Sequence, residues 1–193
     1  MKSLFMTCVL CLAADVRAQE PNIDALRSRC LPAAPLNTLR AIIEAESSGN
    51  PNAMQIDFPK SLVKRWRLPE GELRLKRQPA SQHEALEWLA YFRRYNIFVD
   101  LGLMQVSTAE AQRRGFPAED LLEPCTNLRT GWQIFEDDYR LETKVYGPGQ
   151  KALQHAISRY NTGDAQRGID NGYLGRVLAA LRSLGSTAMS ATR

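Results

Sequence analysis

One glutamate of this 193-residue chain occupies a position in which a carboxyl group could act as a general acid. Apolar residues recur at helical spacing over residues 35–48, and the sequence Gly-Asn-Pro at 49–51 ends the predicted helix. Glu46 lies within the apolar stripe of this helix, whereas Glu44 lies outside it and should be exposed to solvent. Burial penalises the charged carboxylate, and the nearby negative end of the helix dipole acts in the same direction. Both effects should raise the pKa of Glu46, as protonation of a glycosidic oxygen requires.

Two other polar side chains could act with this carboxyl group. Tyr160 lies on the apolar face of a helix predicted over residues 150–160. Its hydroxyl therefore needs a buried partner, which could be Glu46 or a backbone group. Gln105 follows an apolar run at a turn, where its amide could hold a sugar hydroxyl or an N-acetyl group. Periodicity alone leaves open that Glu46 reaches round to solvent and that Gln105 is an exposed loop residue.

Three short motifs resemble those of the soluble lytic transglycosylases, which share a core with goose-type lysozyme. They are ESSGNPNA at 46–53, GLMQV at 102–106 and AISRYNTG at 156–163. Each motif is weak alone, but together they follow the family's order, and the resemblance covers about residues 30–184. It implies that Glu46 is the catalytic acid. The residues that it assigns to substrate binding are Ser47, Met104, Gln105, Tyr160 and Asn161.

The resemblance also implies an activity. Glu46 would protonate the β-1,4 bond between N-acetylmuramic acid and N-acetylglucosamine, and would then remove the muramyl 6-hydroxyl proton to close a 1,6-anhydro ring. The implied partner is the peptidoglycan glycan strand, and no cofactor is required. Residues 167–173 and the placement of the cysteines look more like the branch that accompanies type IV secretion and conjugation machines. Components of such a machine are therefore possible partners. Residues 57–98 separate the first two motifs by more than compact members use, so substrate contacts there are not carried over.

Helical periodicity dominates the remainder of the chain. Further helices are predicted over residues 83–95, 108–115, 127–146, 150–160 and 173–184. The second of these should begin with a capping box at Ser107 and Glu110. Alternating apolar residues and prolines at 52–80 predict a small, irregular antiparallel sheet that includes Leu73 and Leu75. The predicted fold class is therefore α+β, mainly α and lysozyme-like, with a single domain over residues 19–193.

The beginning of the chain predicts export. Lys2 precedes an apolar run over residues 4–14, and the Val-Arg-Ala sequence at 16–18 is typical of a signal-peptide cleavage site. The apolar run is too short for a permanent membrane anchor, and we expect no stable membrane span. The predicted location is the periplasm. A formal net charge of +4 is too small and dispersed to indicate nucleic-acid binding.

Cysteine and histidine usage completes the composition. Removal of residues 1–18 leaves Cys30 and Cys125, for which a disulfide is the natural expectation in an exported chain and two buried thiols the alternative. His83 and His155 are the only histidines, so we expect no metal site of ordinary ligand count.

A hydrolase is the nearest alternative activity, and it usually needs a second carboxylate. The acidic residues near the motifs are Asp57, Asp100, Asp164 and Asp170, and none has support from a motif. Asp100 is expected to cap the turn before Gly102, and Asp170 to cap the helix that begins at Tyr173. The sequence therefore favours the one-carboxylate reaction. A muramidase-like hydrolase and a non-catalytic glycan-binding assembly component are the alternatives.

Overall fold

The computed structural model describes residues 21–57 and 75–190, with side chains as far as Leu184. Within these ranges it contains eight α-helices, one 3-10 helix and a three-stranded antiparallel sheet, which confirms the predicted fold class. The helices are α1 (Ile23–Cys30), α2 (Leu36–Ser47), α3 (Gln82–Arg94), α4 (Thr108–Arg114), α5 (Pro124–Tyr146), α6 (Gln150–Thr162), α7 (Arg167–Asp170) and α8 (Tyr173–Ser190), with the 3-10 helix at Ala118–Leu122. The predicted signal peptide at residues 1–18 lies outside the described residues.

The sheet differs from the prediction in its pairing. Its strands are β1 (Met54–Asp57), β2 (Phe98–Leu101) and β3 (Val106–Ser107), in the order β1-β2-β3. The strand β1 was predicted, but its antiparallel partner is β2, with Met54 opposite Leu101. Leu75 has no regular structure, and Leu73 lies outside the described residues. The strand β2 has adjacent apolar residues, Phe98 and Val99, that break the alternation, and β3 has only two residues, so alternation reveals neither strand from the sequence.

The ends of several helices follow from their capping residues. Asn22 caps α1, which was not predicted, by accepting hydrogen bonds from two backbone N–H groups of its first turn. Ser107 caps α4 by accepting a hydrogen bond from the backbone N–H of Ala109 at 3.3 Å. The predicted capping box is otherwise wrong, because the Glu110 carboxylate pairs with arginines of its own helix instead of returning to Ser107.

The core forms where α2 packs against α8 and α5 against α6. Leu39, Ile42 and Ile43 of α2 are at most 2 % exposed, as their helical spacing predicts. The helix α8 extends to Ser190, beyond the predicted end at residue 184. Among the described residues, no helix is both long enough and apolar enough to cross a membrane. The two helix pairs bring the carboxyl ends of α2 and α6 and the start of α8 to the same cleft.

The predicted disulfide between Cys30 and Cys125 is confirmed and joins the end of α1 to the start of α5, with the two Cα atoms 5.3 Å apart. Because it closes a loop of 95 residues, replacing both cysteines with Ser should destabilise the fold by about 4–5 kcal/mol in the chain-entropy model. We expect the melting temperature to fall by roughly 10 °C or more. Circular dichroism with and without reductant tests this; an unchanged melting temperature, or two titratable thiols in the oxidised protein, would contradict it.

Candidate active site

Glu46 lies in the last turn of α2 and is half-buried, whereas Glu44 is exposed, as predicted. The hydroxyl of Tyr173 donates a hydrogen bond to Oε1 of Glu46 at 2.5 Å. Tyr173 begins α8 and is 1 % exposed, so the packing of α8 on α2 creates this contact. Burial, together with the neighbouring Glu46 charge, raises the pKa of Tyr173 well above its ordinary value. The phenol therefore remains a protonated donor that orients the carboxyl group.

Tyr160 was predicted to bond either Glu46 or a backbone group, and its partner is a backbone group. The hydroxyl of Tyr160 donates to the backbone carbonyl of Met104 at 2.7 Å, which is the backbone alternative. Tyr160 still lines the same cavity as Glu46, and burial followed by the Glu46 charge raises its pKa. Tyr173 was not singled out from the sequence. Its spacing with Val177 and Ala180, both buried, was the signal that could have placed its hydroxyl on the core side of α8.

A buried asparagine organises the turn that follows β2. Asn127 of α5 is 1 % exposed, and its Oδ1 accepts from the backbone N–H of Met104 at 2.8 Å. Its Nδ2 donates to the carbonyls of Leu101 at 2.7 Å and Leu121 at 2.9 Å. Gly102 has a φ of +76°, and a Cβ there would lie 2.4 Å from Nδ2 of Asn127. Asn127 therefore clamps both sides of the turn at residues 102–105, a role that the sequence analysis missed.

The turn presents Gln105 to the cleft. This residue has a φ of +47°, and its Nε2 donates to the carbonyls of Ala53 at 3.0 Å and Gly102 at 2.9 Å. Both amide protons are thereby directed to the backbone. The side chain lines the smaller cavity described below, and its carbonyl oxygen is the atom suited to accept a hydrogen bond from a sugar.

Two residues of the motifs, Ser47 and Met104, make structural contacts within the protein. The Met104 side chain is 0 % exposed, so the expectation that it touches substrate needs correction. Met104 contributes its carbonyl, which holds Tyr160. The Oγ of Ser47 donates to the carbonyl of Leu103 at 2.8 Å and thereby links α2 to the turn. Both residues therefore position the site through the backbone.

Glu46 lies at the junction of two adjoining cavities of about 1110 Å³ and 290 Å³. Gln55 and Asn161 also line both cavities. Asn161 accepts a hydrogen bond at Oδ1 from Nδ2 of Asn171 at 3.2 Å. The larger cavity continues along α8, and the smaller one reaches Gln105 and Tyr160. A polymer could thus lie on both sides of Glu46.

The aspartates have distinct environments. Asp100 lines the smaller cavity together with Glu46, and its charge contributes to the raised pKa of Tyr160 after burial and the Glu46 charge. Asp164 accepts hydrogen bonds from two backbone N–H groups at the start of α7. The prediction that Asp170 caps α8 is wrong, because Asn171 accepts from the backbone N–H of Tyr173 at 2.9 Å. The Asp57 side chain lies outside the described part of the structure.

An ion pair with a buried carboxylate supports the end of α6. Arg159 donates from Nε to Oε1 of Glu142 at 2.7 Å and from Nη1 to the carbonyl of Gly163 at 3.2 Å. The Glu142 side chain is 3 % exposed. Asp138 lies nearby, where desolvation, with repulsion from Asp137 and Glu142, raises its pKa to about 6 despite the attraction of Arg159. The ion pair therefore fixes the helix end that carries Tyr160 and Asn161, while Asp138 adds an unfavourable charge.

Replacing Asp138 with Asn should stabilise the protein at neutral pH. A carboxyl with a pKa of about 6 in the folded state and about 4 when unfolded destabilises the fold progressively as pH rises through this interval. The gain at pH 7 should be about 1 kcal/mol or less after solvent screening, or roughly 2–4 °C in melting temperature. It should shrink as pH falls from about 6 to 4. Melting curves across this range test the sign; a gain that is independent of pH would contradict it.

Across residues 21–57 and 75–190, no three His, Cys, Asp or Glu side chains are placed to hold a metal ion.

Comparison with known proteins finds several relatives, of which three follow. "Protein virB1" of Rhizobium radiobacter is 27 % identical over 177 residues, which are 92 % of this chain and 67 % of the relative. "Protein virB1" of Agrobacterium fabrum (strain C58 / ATCC 33970) is 28 % identical over 181 residues, 94 % and 67 % of the two chains. "Type IV secretion system protein virB1" of Brucella abortus biovar 1 (strain 9-941) is 30 % identical over 145 residues, 75 % and 55 % of the two chains.

The chain therefore spans about two thirds of the first two relatives and just over half of the third. No solved structure matches significantly. The sequence model of the family described as "Transglycosylase SLT domain" matches residues 29–173, a range that contains Glu46, the turn at 102–105, Tyr160 and Tyr173. Because this match covers most of the chain, the protein belongs to the transglycosylase SLT domain family.

Proposed function

We propose that this protein is a peptidoglycan lytic transglycosylase that cleaves the bond between N-acetylmuramic acid and N-acetylglucosamine and leaves 1,6-anhydromuramic acid ends. The observation that carries the proposal is the position of Glu46. It lies at the junction of two cavities, and the buried Tyr173 holds one of its oxygens. An oriented carboxyl group in the middle of an open cleft suits cleavage within a long glycan.

The first step is proton transfer from Glu46 to the glycosidic oxygen. Because Oε1 accepts the Tyr173 hydroxyl, Oε2 is the oxygen assigned to carry the proton. The bond between muramyl C1 and the N-acetylglucosamine oxygen breaks, and the positive charge that develops at C1 is stabilised by the substrate's own N-acetyl group. In this proposal the carbonyl oxygen of Gln105 and the side chain of Asn161, which line the smaller cavity, hold the sugars in register.

In the second step the same carboxylate acts as a base. It removes the proton from the muramyl 6-hydroxyl while O6 forms a bond to C1, so that Glu46 ends the reaction protonated, as it began. The acceptor is already part of the bound sugar, and this proximity favours ring closure over attack by water from solution. No second carboxylate is needed to activate the acceptor.

Hydrolysis is the second candidate, and one observation favours it. Asp100 lines the same cavity as Glu46, so a second carboxylate is available near the reacting sugar. Such a group could stabilise the oxocarbenium-like charge or orient a water molecule. The two reactions differ in product, since hydrolysis adds one water and transglycosylation adds none.

Digestion of purified sacculi in ¹⁸O-labelled water distinguishes the two reactions. We expect mainly 1,6-anhydromuramyl ends, one water lighter than the hydrolytic product and free of the label, by mass spectrometry of the muropeptides. Asp100→Asn should reduce the rate by about tenfold at most and leave the same product, because Asp100 would supply only electrostatic support. Labelled reducing ends as the main product, or complete loss of turnover in Asp100→Asn, would assign the protein to the two-carboxylate hydrolases.

A role in building an envelope-spanning machine is proposed from the relatives. One similar protein is described as a type IV secretion system protein, which supports local opening of the cell wall during assembly of a secretion or conjugation apparatus. The proposed location is the periplasm, reached by cleavage after Ala18. Complementation of a deletion strain tests this role: restoration of transfer by the wild type but not by Glu46→Gln is expected. Full restoration by Glu46→Gln would support a non-catalytic assembly component.

A further inference from the structure

An arginine lines the larger cavity close to the catalytic candidate. Arg176 of α8 is exposed, and its Cζ lies 5.2 Å from the ring centroid of Tyr173, whose hydroxyl bonds Glu46. Among the described residues that line this cavity, Arg176 is the only cation, beside the acids Glu44 and Glu46. Nothing in the local spacing of Arg176 distinguishes it from other surface arginines in the sequence.

Arg176 differs from most arginines of the described ranges in its partners. Seven others form ion pairs with Asp or Glu side chains. Within those same ranges Arg176 is in no such pair, and its recorded contact is the face of the Tyr173 ring. The ring restricts the guanidinium without neutralising its charge, and leaves its hydrogen-bond donors available toward the cavity.

A guanidinium presents planar, paired donors that match a carboxylate better than they match neutral sugar hydroxyls. The sugar rings of peptidoglycan are uncharged, and the anionic groups of the strand are carboxylates on the muramyl side: the lactyl group of a bare strand, or the peptide attached to it. The bond cleaved under the proposed function is itself at muramic acid. A muramyl carboxylate therefore enters the cleft close to Glu46, within reach of the wall formed by α8.

We propose that Arg176 is a substrate-specificity residue that binds a muramyl carboxylate. This inference rests on the proposed function. Because Arg176 lines the larger cavity, the proposal also places the muramyl sugar and its lactyl or peptide group there. This cavity has about 1110 Å³, more space for such a group than the other cavity, which has about 290 Å³. The exposed acid Glu44 on the same cavity repels an anion and leaves the Arg176 side as the place where it is held.

The test compares steady-state cleavage by the wild type, Arg176→Gln, Arg176→Lys and the control Arg182→Gln. Arg182 is exposed on the same helix and does not line the cavity. Three substrates are used: peptide-bearing strands, strands stripped of peptide by an amidase, and strands whose carboxylates have been converted to amides with carbodiimide and ammonia. Binding of each strand to Glu46→Gln proteins with and without the Arg176→Gln change is measured in parallel.

Arg176→Gln should lower kcat/KM on a charged strand about tenfold, mainly through KM, and leave the amidated strand unaffected. Arg176→Lys should retain part of the effect, and Arg182→Gln should behave as the wild type. The charged substrate that shows the loss identifies the source of the carboxylate. An equal loss of kcat/KM on the amidated strand would show that Arg176 acts through Tyr173 and Glu46. If kcat/KM were unchanged on both charged strands, carboxylate binding by Arg176 would be excluded. Absence of cleavage by the wild type would overturn the proposed function instead, while the binding measurements would still test Arg176.

Discussion

Replacement of Glu46 with Gln is expected to lower the rate of muropeptide release from sacculi by about a thousandfold or more. The amide cannot donate a proton of suitable acidity to the glycosidic oxygen, and it cannot later accept one from the 6-hydroxyl. It can still accept the Tyr173 hydroxyl, which donates to Oε1 in the native protein. The fold should therefore persist, with a melting temperature within a few degrees of the wild type.

Glu44→Gln is the matched control. Glu44 lies two positions earlier on the same helix, is exposed and lines the larger cavity. It lies outside the contact with Tyr173, so its replacement should change the rate by less than about threefold, as expected for an exposed charge. A more damaging effect of Glu44→Gln than of Glu46→Gln would show that the catalytic residue has been misassigned.

The separation of two contacting residues along the chain decided how much of this site could be predicted from the sequence. The position of Glu46 depends on apolar spacing within one helix, and α2 begins and ends within one residue of the predicted 35–48. The partner of Glu46 is not local. Tyr173 lies 127 residues away, and the packing of α8 on α2 selects it over Tyr160. Periodicity can place a tyrosine on a buried face but does not state which helix that face meets.

The motifs also mark backbone geometry as much as side-chain chemistry. Ser47 and Met104 were predicted to touch substrate, yet the first bonds the carbonyl of Leu103 and the second supplies its carbonyl to Tyr160. The pairing of β1 with β2 was missed for a related reason. Strand pairing depends on the chain returning from a distant segment, and in β2 the adjacent apolar residues Phe98 and Val99 break the alternation that marks a strand.

Asn127→Ala is expected to have the largest effect on stability, about 3–6 kcal/mol, because it leaves three buried backbone groups without their partner. Removal of the clamp should also release the turn at 102–105, so that Gln105 and the Met104 carbonyl lose their fixed positions. We therefore expect kcat to fall at least tenfold at temperatures where the variant is still folded. Leu128→Ala is the matched control, since Leu128 is 0 % exposed on the same helix and its truncation should cost a comparable 2–5 kcal/mol.

Asn127→Asp separates the roles of the amide's two ends. A carboxylate can still accept from the N–H of Met104, but it faces the carbonyl oxygens of Leu101 and Leu121 with no proton to donate. Its pKa in the folded state should therefore be raised, so stability should be greatest at low pH and fall as pH rises. Melting curves at several pH values, with kcat measured well below each midpoint, test this. Only loss of a clamp on the turn should reduce kcat in protein that remains folded. If Leu128→Ala and Asn127→Ala lost equal activity at equal folded fraction, Asn127 would therefore contribute to stability but not to the geometry of the site.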